Sequence, residues 1–571
     1  MTRRPLLILA LCAALLAACS SSGGDDEDRH LLLLQWQAPS IVNPYLSSGT
    51  KDVLSASLVL EPLAAIAPDG SYVPKLADEI PTVANGGIAG DLMSVTWRLK
   101  EGLLWSDGTP VTTEDLIFTW EWCVEPATGC AFTTHFAGIT RMVALDERTL
   151  RIEFEQPTPN PLTAFVSSQS PVLQKAQFES CIGELAVACT EPNQYPVGTG
   201  PYVVEEFRHE DTVVYAVNPH WRGEEPWFRT VEIKGGGSAT DAARTVLEEG
   251  GADYAWNLQI PPDIRAGMAA KGLGRVQAGF AANLEHLNLM QANNRHPDPE
   301  MQAEYLDGTN PHPLFHDNPA LTRAMSMAID RAEIVAVGYG DAGRPACNVW
   351  NAPPAVSPNN DWCLTRDVEG ARKLLDEAGI VDTDGDGVRE HRGIPLEIDF
   401  LTSTNEVRQT IQELLQSYWR EIGIATHIRN VPAAVFFDGT GASPDSFVRG
   451  LADVFMFTSP VSLPDPQVQF EAYTLEQMTG RENGYGGGNS MRYHNPDFDR
   501  LMAELAVTAD PQRRIDLAIR LNDILVSDGV VIPLVHRGSV SAFRNDIQGV
   551  GDLNGWDSEY WNIHEWRRAS R

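Results

Sequence analysis

The sequence predicts a mixed α/β protein built of two or three lobes, and three observations carry that expectation. Strand-like and helix-like segments alternate along the chain, which favours sheets packed against helices. Beyond the first thirty residues the chain still runs to about 540 residues, more than one hydrophobic core ordinarily serves. A hydrophobic content of 43%, with Gly and Trp spread throughout, fits globular structure rather than a fibre or a disordered chain.

At the amino end, Arg3 and Arg4 precede an apolar run from Leu6 to Ala18. That run suits a signal peptide and is short for a membrane span. It ends in Leu16-Ala17-Ala18-Cys19, which resembles a bacterial lipobox, so residues 1–18 are expected to be removed and Cys19 to carry lipid. Ser20 to Arg29 then reads as a flexible acidic tether completing the segment 19–29, since nothing in it could be buried.

Strands are expected at Leu31–Gln35, Val95–Leu99, Leu150–Phe154, Thr212–Val217, Val231–Lys234 and Leu396–Leu401, several with the alternation of half-buried strands. Thr112 and Asp115 have the spacing of a capping box at a helix start. Asn318-Pro319 opens a helix with Leu321, Met325, Ala328 and Ile329 on one face. Asp367 opens another, with Val368, Ala371, Leu374, Leu375 and Ala378 inward and Gly379 as its stop. Val407, Ile411, Leu414, Leu415, Tyr418 and Ile422 form the clearest stripe, ended by Gly423. Asp510-Pro511 starts a helix with Ile515, Ala518, Leu521 and Leu525 inward. These stripes are core.

A net charge of −34 disfavours nucleic acid as a partner, because phosphates reward Lys and Arg. Apart from Cys12 and Cys19, six cysteines fall into local pairs, Cys123/Cys130, Cys181/Cys189 and Cys347/Cys363. In an exported chain they read as disulfides, each worth roughly 2–3 kcal/mol in the chain-entropy model. They lack zinc-ligand spacing. Asp382, Asp384, Asp386 and Gly387 imitate the start of a calcium loop, yet Gly393 stands where the twelfth, bidentate glutamate belongs. Neither a metal nor a cofactor is expected. Signatures of metalloproteases, serine hydrolases and phosphate-binding loops are absent, so no catalytic residue is assigned and an enzyme is not expected.

Several segments occur together in one order: Leu104 to Trp122 (LWSDGTPVTTEDLIFTWEW), Pro196 to Tyr202 (PVGTGPY), Asn218 to Trp221 (NPHW) and Leu321 to Ile334 (LTRAMSMAIDRAEI). Asp382 to Glu390 (DTDGDGVRE), Tyr493 to Asp499 (YHNPDFD) and Val531 to Leu534 (VIPL) complete the series. Read together, the chain resembles the oligopeptide- and dipeptide-binding family of ABC-transporter solute-binding proteins, over nearly its whole mature length.

The resemblance implies a periplasmic-binding-protein-like clamp with an additional inserted domain. Lobe I would comprise 30–74, 190–285 and 533–571, the insert 75–189, and lobe II 286–532. The two glycines of GTGPY are expected to serve a crossing where positive φ is useful. A monomer outside the cytoplasm, lipid-anchored to the membrane, would capture a small peptide-like solute between the lobes. It would deliver that solute to ABC permease and ATPase subunits. The same fold could carry an opine, a nickel chelate, haem or an oligosaccharide, or act as a sensor; a secreted hydrolase is the reading from another class.

For the cleft, the resemblance points to Trp36, Tyr254, Trp256, Asn257 and Gln259, to Phe457, Thr458, Ser459 and Asp465, and to Tyr485 and Asn489. Where peptide binders keep an aspartate for the ligand's ammonium group, the chain reads Pro460-Val461-Ser462, with Asp465 fitting the later Asp-Pro.

Overall fold

The computed structural model describes residues 29–47, 49–438, 441, 443–459, 463–485 and 487–569. The signal segment, Cys19 and most of the tether lie outside them, as do Pro460, Val461 and Ser462.

Two large sheets organise the chain. One has seven strands, in the order Gly274–Gly279, Ser539–Arg544, Tyr254–Ala255, His30–Leu34, Thr230–Lys234, Thr212–Val217 and Tyr202–Arg208. The other has six, in the order Gly343–Pro345, Val531–Arg537, Leu284–Leu289, Val454–Ser459, Glu397–Ser403 and Ala425–Val431. A three-stranded sheet of Ser94–Arg98, Thr149–Phe154 and Ile139–Asp146 lies in the segment read as an insert. All six expected strands are present, each beginning within one residue of its expected start.

The helices form where capping and periodicity agree. Asn318, Asp367, Asn405 and Asp510 each accept a backbone N–H from the first turn of their helices, Pro319–Met327, Val368–Glu377, Glu406–Arg420 and Pro511–Asp528. Thr112 and Asp115 close a capping box on Thr113–Val124. In Glu406–Arg420 the buried face holds Val407, Ile411, Leu415 and Tyr418, while Leu414 is half-buried. This face packs with Leu287, Phe400 and Met456 of the six-stranded sheet.

Three disulfides tie local loops, Cys123–Cys130, Cys181–Cys189 and Cys347–Cys363, with Cα separations of 5.2, 5.8 and 5.8 Å. One continuous core runs from the three-stranded sheet to the helix Pro511–Asp528, so the insert is welded to its neighbours by burial.

Two expectations are corrected. The strands Leu284–Leu289 and Val531–Arg537 belong whole to the six-stranded sheet. The chain therefore passes between the large sheets at 280–283 and at Gly538, not at 285/286 and 532/533. Secondly, neither Gly198 nor Gly200 has positive φ. A side chain is excluded there by another backbone: a Cβ on Gly198 would lie 2.0 Å from the Val59 carbonyl oxygen, and one on Gly200 2.5 Å from that of Leu58.

Asp382 to Glu390 leads into a two-stranded hairpin of Glu390–His391 and Ile394–Pro395. The carboxylates of Asp382, Asp384, Asp386 and Glu390 converge within 4.8 Å, and Asp382 accepts the N–H groups of Gly385 and Gly387. Among the described residues, no helix is long and apolar enough to cross a membrane.

Candidate functional site

Parallel strands present their carboxyl ends to a gap between the two large sheets. On one side, His30–Leu34 pairs in parallel with Tyr254–Ala255, and the chain leaves them as Gln35-Trp36 and Trp256-Asn257. On the other, Glu397–Ser403 pairs in parallel with Val454–Ser459, leading to Asn405 and Ser459. Ligands of open α/β sheets collect at such ends, where loops are free to supply polar groups.

The gap leaves a cavity of about 30 Å³ in this structure, lined by Asn257, Gln259 and Arg265 from the seven-stranded side and by Glu285, Tyr339, Asn405, Arg408 and Arg537 from the other. One amide chain bridges it. Asn405 Nδ2 donates to Gln259 Oε1 at 3.1 Å, and Gln259 Nε2 donates to Asn257 Oδ1 at 3.1 Å. Asn257 is held at φ +53°, a conformation that asparagine tolerates better than most residues.

The charged floor centres on Glu285, whose side chain is fully buried. It accepts Arg408 Nε at 2.8 Å and the Thr458 hydroxyl, and Arg537 Nη1 lies 4.0 Å away. Burial alone would raise the carboxyl pKa, but Arg408, Arg537 and the Thr458 hydrogen bond outweigh it and hold the group at about 2. Glu285 is therefore a carboxylate throughout the physiological range. Burial pushes the neighbouring Tyr339 phenol above its usual value.

The expected residues divide. Asn257 and Gln259 line the gap, and Thr458 joins its charged floor. Trp36 is half-buried, donates Nε1–H to the Asn257 carbonyl at 3.2 Å and stacks on Trp256, with centroids 6.3 Å apart. Trp256 itself is a correction: it is 6% exposed and belongs to the core beside Leu33 and Phe543, with Trp36 over it. Tyr254 is likewise core, fully buried, its hydroxyl bonded to Glu559. Phe457 packs with Phe436, Phe447 and His286. Ser459 is half-buried at its strand's end.

Asp465 caps the helix Pro466–Glu471 and pairs with Arg514 at 2.7 Å, so its charge is neutralised structurally. Tyr485 is bound through its hydroxyl to Arg449 at 2.8 Å. Asn489 is fully buried and donates to the carbonyls of Thr474 and Tyr493, holding a loop rather than facing a solute. Sequence reading missed Arg265, Glu285, Tyr339, Asn405, Arg408 and Arg537. The available signal was positional: Asn405 follows a strand and caps the next helix, the place where carboxyl-end sites are built.

The family model for bacterial extracellular solute-binding proteins, family 5 (middle region), matches residues 71–479. The periplasmic oligopeptide-binding protein OppA of Escherichia coli is 23% identical over 509 residues, covering 84% of this chain and 83% of that one. The solved substrate-binding protein CtaP of Listeria monocytogenes superposes with a TM-score of 0.75 at 19% identity, covering 95% of this chain and 99% of that one. NikZ of Campylobacter jejuni, in complex with Ni(L-His), gives 0.74 at 22% identity, with 95% and 100% covered.

Proposed function

The chain belongs to family 5 of the bacterial extracellular solute-binding proteins, and on that premise we propose that it is the extracytoplasmic solute receptor of an ABC importer. The two large sheets with their helices act as lobes I and II, and the segment 75–189 as a smaller inserted domain. Cys19 carries lipid that keeps the monomer at the membrane. A small organic solute, peptide-like in size, enters the gap between the lobes and passes to a permease and its ATPase.

The observation that carries this reading is the gap itself. It sits at the carboxyl ends of both sheets, is lined from both, and offers amides and guanidinium groups without a catalytic constellation. Asn257, Gln259 and Thr458 are its proposed solute contacts, with Trp36 bracing Asn257. OppA, named for oligopeptides, supports the peptide reading. A second reading, a metal chelate, has its own support in the likeness to NikZ bound to Ni(L-His).

Thermal unfolding against a library of peptides and metal chelates separates the two. Peptides raising the melting temperature support the first reading, chelates alone the second, and no shift with any solute opposes both. Binding that saturates N but not U must stabilise by mass action, about 2.7 kcal/mol at a hundredfold excess over Kd.

A further inference from the structure

We propose that Glu559 is a positioning residue for the gap: through the Ser541 hydroxyl its carboxylate holds the Asn257 backbone amide, and uptake of a proton loosens that hold. This deepens the solute-receptor reading and rests on it, since Asn257 is there a solute contact.

Glu559 is buried against two strands of the seven-stranded sheet. Its Oε2 accepts the Tyr254 hydroxyl at 2.5 Å and the Ser541 hydroxyl at 2.6 Å. Ser541 spends its only hydrogen there and keeps lone pairs free, and the Asn257 N–H donates to them at 3.3 Å. Two hydrogen bonds therefore join the carboxylate to the wall of the gap. Asn257 needs such a tie, because its backbone sits at φ +53°, a sparsely populated conformation.

The titratable groups facing Glu559 are the phenols of Tyr254 and Tyr560, both pushed up by burial, with the glutamate's charge adding to it. Among the described residues, no cation offsets the burial of the carboxyl, which rises to about 7. A hydroxyl that donates to a carboxylate is polarised and accepts more strongly from the amide behind it. Once Glu559 takes a proton from solvent, that charge is gone and the Ser541 rotor is no longer fixed. The Asn257 N–H then loses its aligned acceptor. Among the described residues lining the gap there is no histidine, and Glu285 is held at about 2. A midpoint near 7 at Asn257 would therefore point to Glu559 and away from the lining.

The test reads the Asn257 amide by NMR in the purified protein carrying isotope-labelled asparagine, assigned by its loss in Asn257→Gly. Without solute, that resonance should titrate between pH 5 and pH 9 with a midpoint near 7. It should stay flat in Glu559→Gln, and in Ser541→Ala, where Glu559 still ionises. Calorimetry then follows two probes, Ala-Ala-Ala and the nickel–histidine chelate. The ratio of wild-type to Glu559→Gln affinity cancels each probe's own titration. For a probe that binds, it should fall about threefold or more from pH 8 to pH 6, as loss of one modest hydrogen bond implies.

An Asn257 resonance that does not move, or that moves equally in both variants, overturns the inference. An affinity ratio equal at the two pH values overturns it too. If neither probe binds while the resonance titrates as described, the linkage stands and the peptide and chelate readings lose their support. If Glu559→Gln fails to fold, Ser541→Ala and the wild-type titration decide. A carboxyl that only supports the fold would leave the Asn257 titration unchanged in Ser541→Ala.

Discussion

Trp36 and Trp256 stack on each other, yet they have different work. Trp256 is core, so Trp256→Ala should cost about 3–5 kcal/mol, the range for deleting a large buried aromatic. Trp36 is half-buried and orients the Asn257 carbonyl. Trp36→Ala should cost less stability while weakening the solute-induced rise in melting temperature. Paired melts with and without solute check both; the assignment of roles fails if the two variants behave alike.

Two buried glutamates give opposite pH signatures. Glu285 is held at about 2, below the usual 4.5, so its stabilisation is complete above pH 4.5 and is lost as pH falls toward 2. Among the described residues, no cation offsets the burial of Glu559. Burial raises it to about 7, only partly offset by the hydroxyls of Ser541 and Tyr254. With the folded pKa above 4.5, Glu559 in its charged form weakens the fold at pH 8, and protonation restores stability on descent from 7 toward 4.5. Glu559→Gln should therefore gain more, relative to the wild type, at pH 8 than at pH 5. Glu285→Gln should lose at pH 7 and approach the wild type near pH 2. Urea unfolding across pH measures both.

At the scale of elements, helices were legible wherever a capping residue preceded an apolar stripe, as at Asp367 and Asn405. Strands were legible wherever alternation survived. The site was not legible in the same way. Arg408 sits inside an otherwise apolar stripe and reads as a surface residue until Glu285, 123 positions earlier, is brought beneath it. Tyr254 and Asn489 look like binding groups in sequence, because nothing local says that Glu559 or three loop carbonyls will consume their polar atoms. Asp465 read as a possible anchor because its partner, Arg514, lies 49 residues on.

The glycines of GTGPY teach a related lesson. Sequence suggested turn conformations, whereas the structure puts the backbone of Leu58 and Val59 in the space of a side chain. Gly198→Ala should lower the melting temperature steeply, since backbone on both sides cannot yield without breaking the Gly200 N–H bond to Val59, 2.8 Å long. An unchanged melt for Gly198→Ala would mean that the approach is looser than described.

At the scale of the whole molecule, two sheets meet at a gap whose charged lining departs from the acidity of the chain. The proposed anchor has its own test: Cys19→Ala should abolish labelling by a fatty-acid analogue, and equal labelling of the mutant would remove the lipid from the account.

The central claim is that a solute resides between the sheets, and native mass spectrometry of the purified protein addresses it most directly. Gln259 faces the gap, is half-buried and caps no helix, so Gln259→Trp should fill the space without unfolding the chain. The account predicts one small molecule retained per wild-type chain, in the protein as purified or after addition of a binding solute. It predicts none on Gln259→Trp at a wild-type-like melting temperature. The same mass retained by both proteins would place the solute elsewhere and contradict the account.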